Sequence, residues 1–149
     1  MISNKIKVGL FYFVAIFLSQ CTQNHEMLES IANNCMDSYS LSSAQHRLLG
    51  NWQLVAEGCS YCPHPGLTIP KDEIKLNITS DSSLLISKNQ IPVDTISYRM
   101  VQFSAFEYGL NQSNFNSTTY VTGGLRFCGR HITFDSRAGD GPVYIFQKL

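Results

Sequence analysis

The sequence predicts an all-β domain: an antiparallel up-and-down β-barrel with a short N-terminal amphipathic helix. Three observations carry this. From about residue 48 onward, apolar residues recur at every second position, the period of a strand with one face buried. The runs are short, and turn-forming residues separate eight or nine of them over about 100 residues. No helical period interrupts them, which excludes a parallel α/β sheet because that needs crossover helices. A sandwich fits the same pattern, and periodicity alone does not choose between the two. The chain has 149 residues, enough for one domain, and 44% hydrophobic content, enough for a core. Eleven basic residues balance eleven acidic ones. Such a chain has no surplus of positive charge with which to hold phosphates, so nucleic acid is not an expected partner.

Residues 1–20 read as an export signal. Lys5 and Lys7 form a positive start, and Val8 to Leu18 is an apolar run too short to span a bilayer as a helix. Leu18-Ser19-Gln20-Cys21 follows. It resembles the lipobox of bacterial lipoproteins, in which a branched apolar residue and two small ones precede a cysteine that is acylated and becomes the first residue. Gln20 departs from that pattern. An ordinary signal peptide with an incidental Cys21, or an uncleaved anchor, are the competing readings. The resemblance implies a lipid membrane as partner through acylated Cys21, and a lipid-anchored location in the bacterial cell envelope. Thr22 after the cysteine resembles an outer-membrane address. Without residues 1–20 the chain keeps nine bases against eleven acids.

Residues 21–47 are expected to be a lipidated tether carrying the short helix. Met27, Leu28, Ile31, Ala32, Cys35, Met36 and Tyr39 recur at spacings of three and four. With Glu26 and Glu29 at its start, this stripe predicts a helix over about 25–37, its apolar face against the main domain. Ser38 to Ser43 reads as a loop. The barrel domain then occupies 48–149. Trp52, Leu54 and Ala56 predict the first strand, and Gly58 to Lys71 a long loop. Ile74, Leu76 and Ile78 give the clearest strand, and Leu84 to Ser87 a short one between the turns Asp81-Ser83 and Lys88-Gln90. Residues 93–108 alternate with a slip in parity: Ile96, Tyr98 and Met100 share one face, then Val101, Phe103 and Ala105 the next. Such a slip needs a bulge, bend or turn. Residues 109–117 read as a polar loop and Thr118 to Thr122 as a strand. Gly129-Arg130 fits a two-residue hairpin turn between Leu125–Cys128 and His131–Asp135. Val143 to Leu149 is the last strand.

Gly50-Asn51-Trp52, preceded by Leu48-Leu49 and continued by Gln53-Leu54-Val55, resembles the G-x-W opening of the lipocalin family, above all the small lipocalin-like domains of bacterial lipoproteins. The resemblance covers roughly 48–149. It implies a Trp at the base of the first strand that closes one end of the barrel, and a mouth capped by the loop after that strand. It also implies a closing arginine, for which Arg126 is the candidate. The chain departs from the family in being short and in lacking the helix that usually follows the last strand.

An eight-stranded barrel has an interior that side chains just fill or that holds one small ligand. By alternation the inward residues are Trp52, Leu54, Ile74, Leu76, Ile78, Phe103, Phe127, Ile132 and Phe134. Trp52, Leu76, Phe103, Phe127 and Phe134 are the candidates for contact with a small hydrophobic ligand. Core packing is the competing role for each.

Cysteines form the most conspicuous cluster. With Cys21 acylated, Cys35, Cys59, Cys62 and Cys128 remain as disulfide candidates, and four cysteines allow three connectivities. Staples from the loop to Cys35 and Cys128 would pin a segment with few apolar residues. A zinc site on Cys59, Cys62, His64 and Cys128 is the minor alternative, lacking a second paired half. A redox C-x-x-C would want a helix start in a βαβ unit. No G-x-S-x-G or H-E-x-x-H is present. His131, Asp135, Ser136 and Arg137 are catalytic residue types at a strand end, but turn hydrogen bonds and an ion pair explain them more simply. The sequons at Asn77, Asn111 and Asn116 carry no weight in a bacterial chain. The chain therefore reads as a non-enzymatic protein without a cofactor. It is either a membrane-anchored binding protein of the envelope holding a small hydrophobic ligand, or a disulfide-stapled filled barrel acting as a structural or protein-interaction module.

Overall fold

A computed structural model of the chain describes residues 26–34, 36–59, 66–112 and 119–149. Helix α1 covers residues 26–34 and α2 covers Leu41–Leu48. The strands are β1 Gly50–Cys59, β2 Gly66–Thr68, β3 Ile74–Ile78, β4 Ser83–Lys88, β5 Ile91–Gln102, β6 Tyr108–Gln112, β7 Gly124–Cys128, β8 His131–Asp135 and β9 Pro142–Lys148. All pairings are antiparallel, and β9 returns to β1 from Trp52↔Lys148 to Cys59↔Pro142. Eight strands therefore close a barrel, while the short β2 pairs only with the end of β1. Closure settles barrel against sandwich.

Tight turns set the registers. Asn89 and Gln90 both take positive φ between β4 and β5, the backbone that a two-residue hairpin needs to match strand twist. Gly129-Arg130 turns β7 into β8 as its sequence predicts. Inside the barrel, Trp52, Leu54, Leu76, Leu84, Tyr108, Phe127, Phe134 and Phe146 belong to one buried cluster. Alternation fails at one point in β1. A bulge between Leu54 and Ala56 shifts the register, so that Leu54 faces Phe146 but Ala56 faces Ile145. Ala56 therefore joins a second cluster with Ile31, Ala32, Leu67, Val143 and Ile145, where α1 lies on the barrel wall.

The closed end is built by α2. Its N-cap Ser40 accepts a hydrogen bond from Ser43 N, and Ala44 and Leu48 drop into the barrel core. Trp52 Nε1 donates to Leu48 O at 2.7 Å, and the Lys148 ammonium lies 5.1 Å from the Trp52 ring centre. Lys148 Nζ also donates to Arg47 O. Gly50 makes the entry into β1 with φ +116, a backbone that side-chain-bearing residues rarely adopt.

Several expectations need correction. Leu41 to Ser43, expected as the tail of a loop, open the helix Leu41–Leu48, which the sequence pattern hides because only Ala44 and Leu48 of its residues are buried. The expected polar loop at 109–117 begins instead as β6, and Thr119–Val121 is a 3-10 turn where a strand was expected. No slip forms at Met100–Val101: β5 stays in register with β6 from Tyr98 to Gln102, and Phe103 N donates to Glu107 O in the same register, so Val101 and Phe103 lie on the outer face. This leaves Phe103 66% exposed, so it does not face the barrel interior. Arg126 does not approach Trp52. Lys148 on the last strand holds that place, and Arg126 instead pairs with Glu107.

Candidate functional site

Four of the five residues named as ligand contacts, Trp52, Leu76, Phe127 and Phe134, are at most 2% exposed and touch one another's neighbours within the central cluster. The aromatic rings meet edge to face. Phe127 lies between Tyr39 and Tyr108 at 5.7 and 5.6 Å, and Phe134 is 6.0 Å from Phe146. These side chains pack against one another in the middle of the barrel.

A depression lies elsewhere, at the seam between β6 and β7. Neighbouring hairpins pair over five or more residues, but β6 and β7 share only the pair Tyr108↔Leu125. On one side of that pair, residues 36–40 bridge the gap. Asp37 N donates to Phe127 O, Gly129 N donates to Asp37 Oδ2, and the Tyr108 hydroxyl donates to Tyr39 O. On the other side the strands diverge and leave a groove of about 600 Å³. It is lined by Val101, Phe103, Glu107, Gly109, Leu110, Gly123, Gly124, Asp135 and Ser136, among others. That volume lies within the range of ligand-binding clefts.

Glycine shapes the groove. A Cβ on Gly109 would meet the Phe103 ring at 2.6 Å, and one on Gly124 would meet Glu107 at 2.1 Å. Phe103 and Glu107 can lie along the groove because nothing projects beneath them. Gly123 has φ +88, and a Cβ there would strike the Asp135 carbonyl at 2.3 Å.

One wall is charged. Arg126 bridges Glu107 Oε1 at 3.3 Å and Asp135 Oδ2 at 3.8 Å. Arg137 grips Asp135 with Nε to Oδ1 at 3.0 Å and NH2 to Oδ2 at 2.8 Å. It also reaches α1, donating to Ala32 O at 2.7 Å and Asn33 Oδ1 at 3.0 Å. Burial pushes the Asp135 carboxyl up. The hydrogen bonds from Arg137 and the charges of Arg137 and Arg126 outweigh it, holding the group below the usual carboxylate range. Asp135 and Arg137 thus pair as their sequence suggested, but the clasp on α1 was not foreseen. His131 is half-buried on β8, and its burial lowers the imidazole below its ordinary value.

A second depression of about 390 Å³ lies at the end of the barrel opposite α2, lined in part by Tyr120, Ile69 and the core residues Leu54 and Ile74. Among the cysteines, Cys128 is a free thiol, partly buried against the cluster beneath α1. The expected staple to the late strand is therefore not formed in this structure. Cys59 is not free, and no disulfide joins two described cysteines. Cys21, Cys35, Cys62 and His64 lie outside the described residues, so most of the staple and zinc readings do too. Among the described residues no three His, Cys, Asp or Glu side chains are grouped to hold a metal.

Comparison of the chain with family models, curated proteins and solved structures finds no match. The closed antiparallel barrel is compatible with a calycin or lipocalin-like fold, and the likeness rests on that architecture and on Gly50-Asn51-Trp52. Nothing in the sequence pattern marked the groove. Its walls are glycine backbone, and its width comes from the divergence of two strands.

Proposed function

We propose that this chain is a membrane-tethered, non-enzymatic binding module of the bacterial cell envelope, with a filled barrel and a binding surface on its outer wall at the β6–β7 groove. The observation that carries the reading is packing. Trp52, Leu76, Phe127 and Phe134 pack with neighbouring side chains in the middle of the barrel, while among the described residues a groove remains between β6 and β7. The groove offers the exposed ring of Phe103 beside the carboxylates of Glu107 and Asp135 and the hydroxyl of Ser136. Such a surface suits a ligand with an apolar face and hydrogen-bonding groups around it. The tether is acylated Cys21, as the lipobox-like Leu18-Ser19-Gln20-Cys21 implies.

Hydrogen exchange tests this directly. The protein is compared with and without a low-molecular-mass extract of the cell envelope. The reading expects slowed exchange confined to residues 101–111, 122–124 and 135–139, and loss of that effect in Phe103→Ala. Protection of β3 and β4 instead, or none with any envelope fraction, would contradict it.

One observation favours a second reading, carriage of a small hydrophobic ligand. The depression at the end opposite α2 reaches Leu54 and Ile74 of the core. A short acyl or aromatic group would fit there, at the mouth rather than among Trp52, Leu76, Phe127 and Phe134. Retention of a lipophile abolished by Ile74→Asn but not by Phe103→Ala would favour it.

A further inference from the structure

We infer that the end of the barrel opposite α2 is the face that rests on the lipid surface, through two neighbouring apolar tips, Ile69-Pro70 and Ile91-Pro92-Val93. The inference rests on the reading of Cys21 as the lipid-bearing residue, and it goes beyond that reading by assigning an orientation and a contact surface.

The first observation is exposure. Ile69, Ile91 and Val93 are 82%, 67% and 52% exposed. Large aliphatic side chains exposed together, in the loop after β2 and at the start of β5, mark an interaction surface rather than ordinary surface scatter. Both tips carry an Ile-Pro pair, and proline has no N–H to strand without a partner when water is removed.

The second observation is that the tips form one rigid unit. Lys88 Nζ pairs with Asp72 at 2.7 Å, and Asn89 Nδ2 donates to the same carboxylate at 3.0 Å. Asn89 Oδ1 accepts from Glu73 N at 2.9 Å, and Asn89 N donates to Glu73 O at 2.8 Å. The β2–β3 loop and the β4–β5 turn are thereby laced together. The acids Asp72 and Glu73 are each paired with a lysine, Lys88 and Lys75, Lys71 stands two residues from Ile69, and the acids Glu57 and Asp94 lie beside the two tips.

The third observation is where the anchor lies. Five residue steps separate Cys21 from Glu26, the first residue of α1. Fully extended, they span at most about 18 Å. Helix α1 lies against β2, with Glu29 Oε1 accepting from Leu67 N at 3.1 Å, two residues before Ile69. A lipid on Cys21 therefore holds this side of the barrel next to the bilayer. The other exposed aromatic tip, Phe103 and Phe106, follows the far end of β5 from Ile91. The occupant of the apolar tips is thus the membrane to which the chain is tethered.

The test uses the acylated protein in vesicles of phosphatidylethanolamine and phosphatidylglycerol that carry brominated acyl chains, which quench tryptophan on contact. The native Trp52 is 2% exposed in the core and supplies a constant background. Ile91→Trp should lose about half or more of its added emission, as an interfacial residue does, while Phe103→Trp should lose none. Adding Ile69→Ser to the Ile91→Trp variant should reduce the quenching. Equal quenching at 91 and 103, or none at 91, with acyl chains found on Cys21 by mass spectrometry, would overturn the orientation and leave the anchor standing. A mass without acyl chains would overturn the anchor and the orientation with it.

Discussion

Asp135 is the residue on which the charged wall turns. Its side chain is 8% exposed and receives both arginines, and through Arg137 it holds the C-terminal turn of α1. Its folded carboxyl releases its proton more readily than in the unfolded chain. The stabilisation is therefore complete above the unfolded value near 4 and is lost as pH falls towards and through the folded one. His131 acts in the same sense. Its lowered value means that the unfolded chain binds the extra proton more readily as pH drops below about 6.5. Thermal unfolding followed from pH 7 down to pH 3 should show a falling midpoint. Asp135→Asn should cost about 2 kcal/mol at neutral pH and flatten the acid limb. A variant with an unchanged acid limb would separate Asp135 from the effect. At this scale the sequence was half readable. An Asp135–Arg137 pair follows from two residues' spacing, whereas the 2.7 Å bond from Arg137 to Ala32 joins residues 105 apart and has no local signature. The closing cation over Trp52 was missed likewise, because Lys148 reaches it only when β9 pairs with β1.

At the level of elements, α1 is a satellite of the barrel rather than part of it. Ile31 and Ala32 are 7% and 3% exposed, and they pack on Ala56, Leu67, Val143 and Ile145. The helix finds a flat seat because the bulge in β1 turns the small Ala56 outward. Ile31→Ala should cost about 2–4 kcal/mol and release α1, with the barrel core intact. Exchange protection would fall in 26–34 and β2 but stay high in β3, β4 and β8, and uniform loss would contradict a satellite helix. The helical stripe was legible only in part, since a helix was expected over about 25–37 but α1 ends at residue 34 and Asp37 bridges Phe127; strands such as β3, where Ile74, Leu76 and Ile78 alternate without interruption, were legible. The bulge was not, since Trp52, Leu54 and Ala56 alternate evenly and only the register with β9 displaces the last of them. Helix α2 was hidden for a different reason: Leu41–Leu48 buries only Ala44 and Leu48, so its pattern carries little apolar signal.

Among the described residues the molecule is an eight-stranded barrel plugged by α2 at one end and loosened at the seam between β6 and β7. Short alternating runs without crossover helices were enough to predict an antiparallel all-β domain, and the return of β9 to β1 chooses barrel over sandwich. The bulk of the inward residues was legible in the sequence, which left a filled interior and a small pocket both open. The groove could not be foreseen, because it depends on how far β6 and β7 part after Tyr108↔Leu125. The central claim is that ligands meet this barrel from outside and not in its middle. Trp52 reports on the middle, being buried in the core cluster and the single tryptophan of the chain. The most direct measurement is therefore a titration with the lipophilic fluorophore 1-aminoanthracene, read by energy transfer from Trp52 and by competition with a fatty acid. A filled barrel predicts no saturable, fatty-acid-competed uptake in the wild type, but its appearance in Phe134→Ala, where the lost ring leaves a cavity. Saturable one-to-one uptake by the wild type, competed by the fatty acid and reduced by Leu76→Phe, would contradict it.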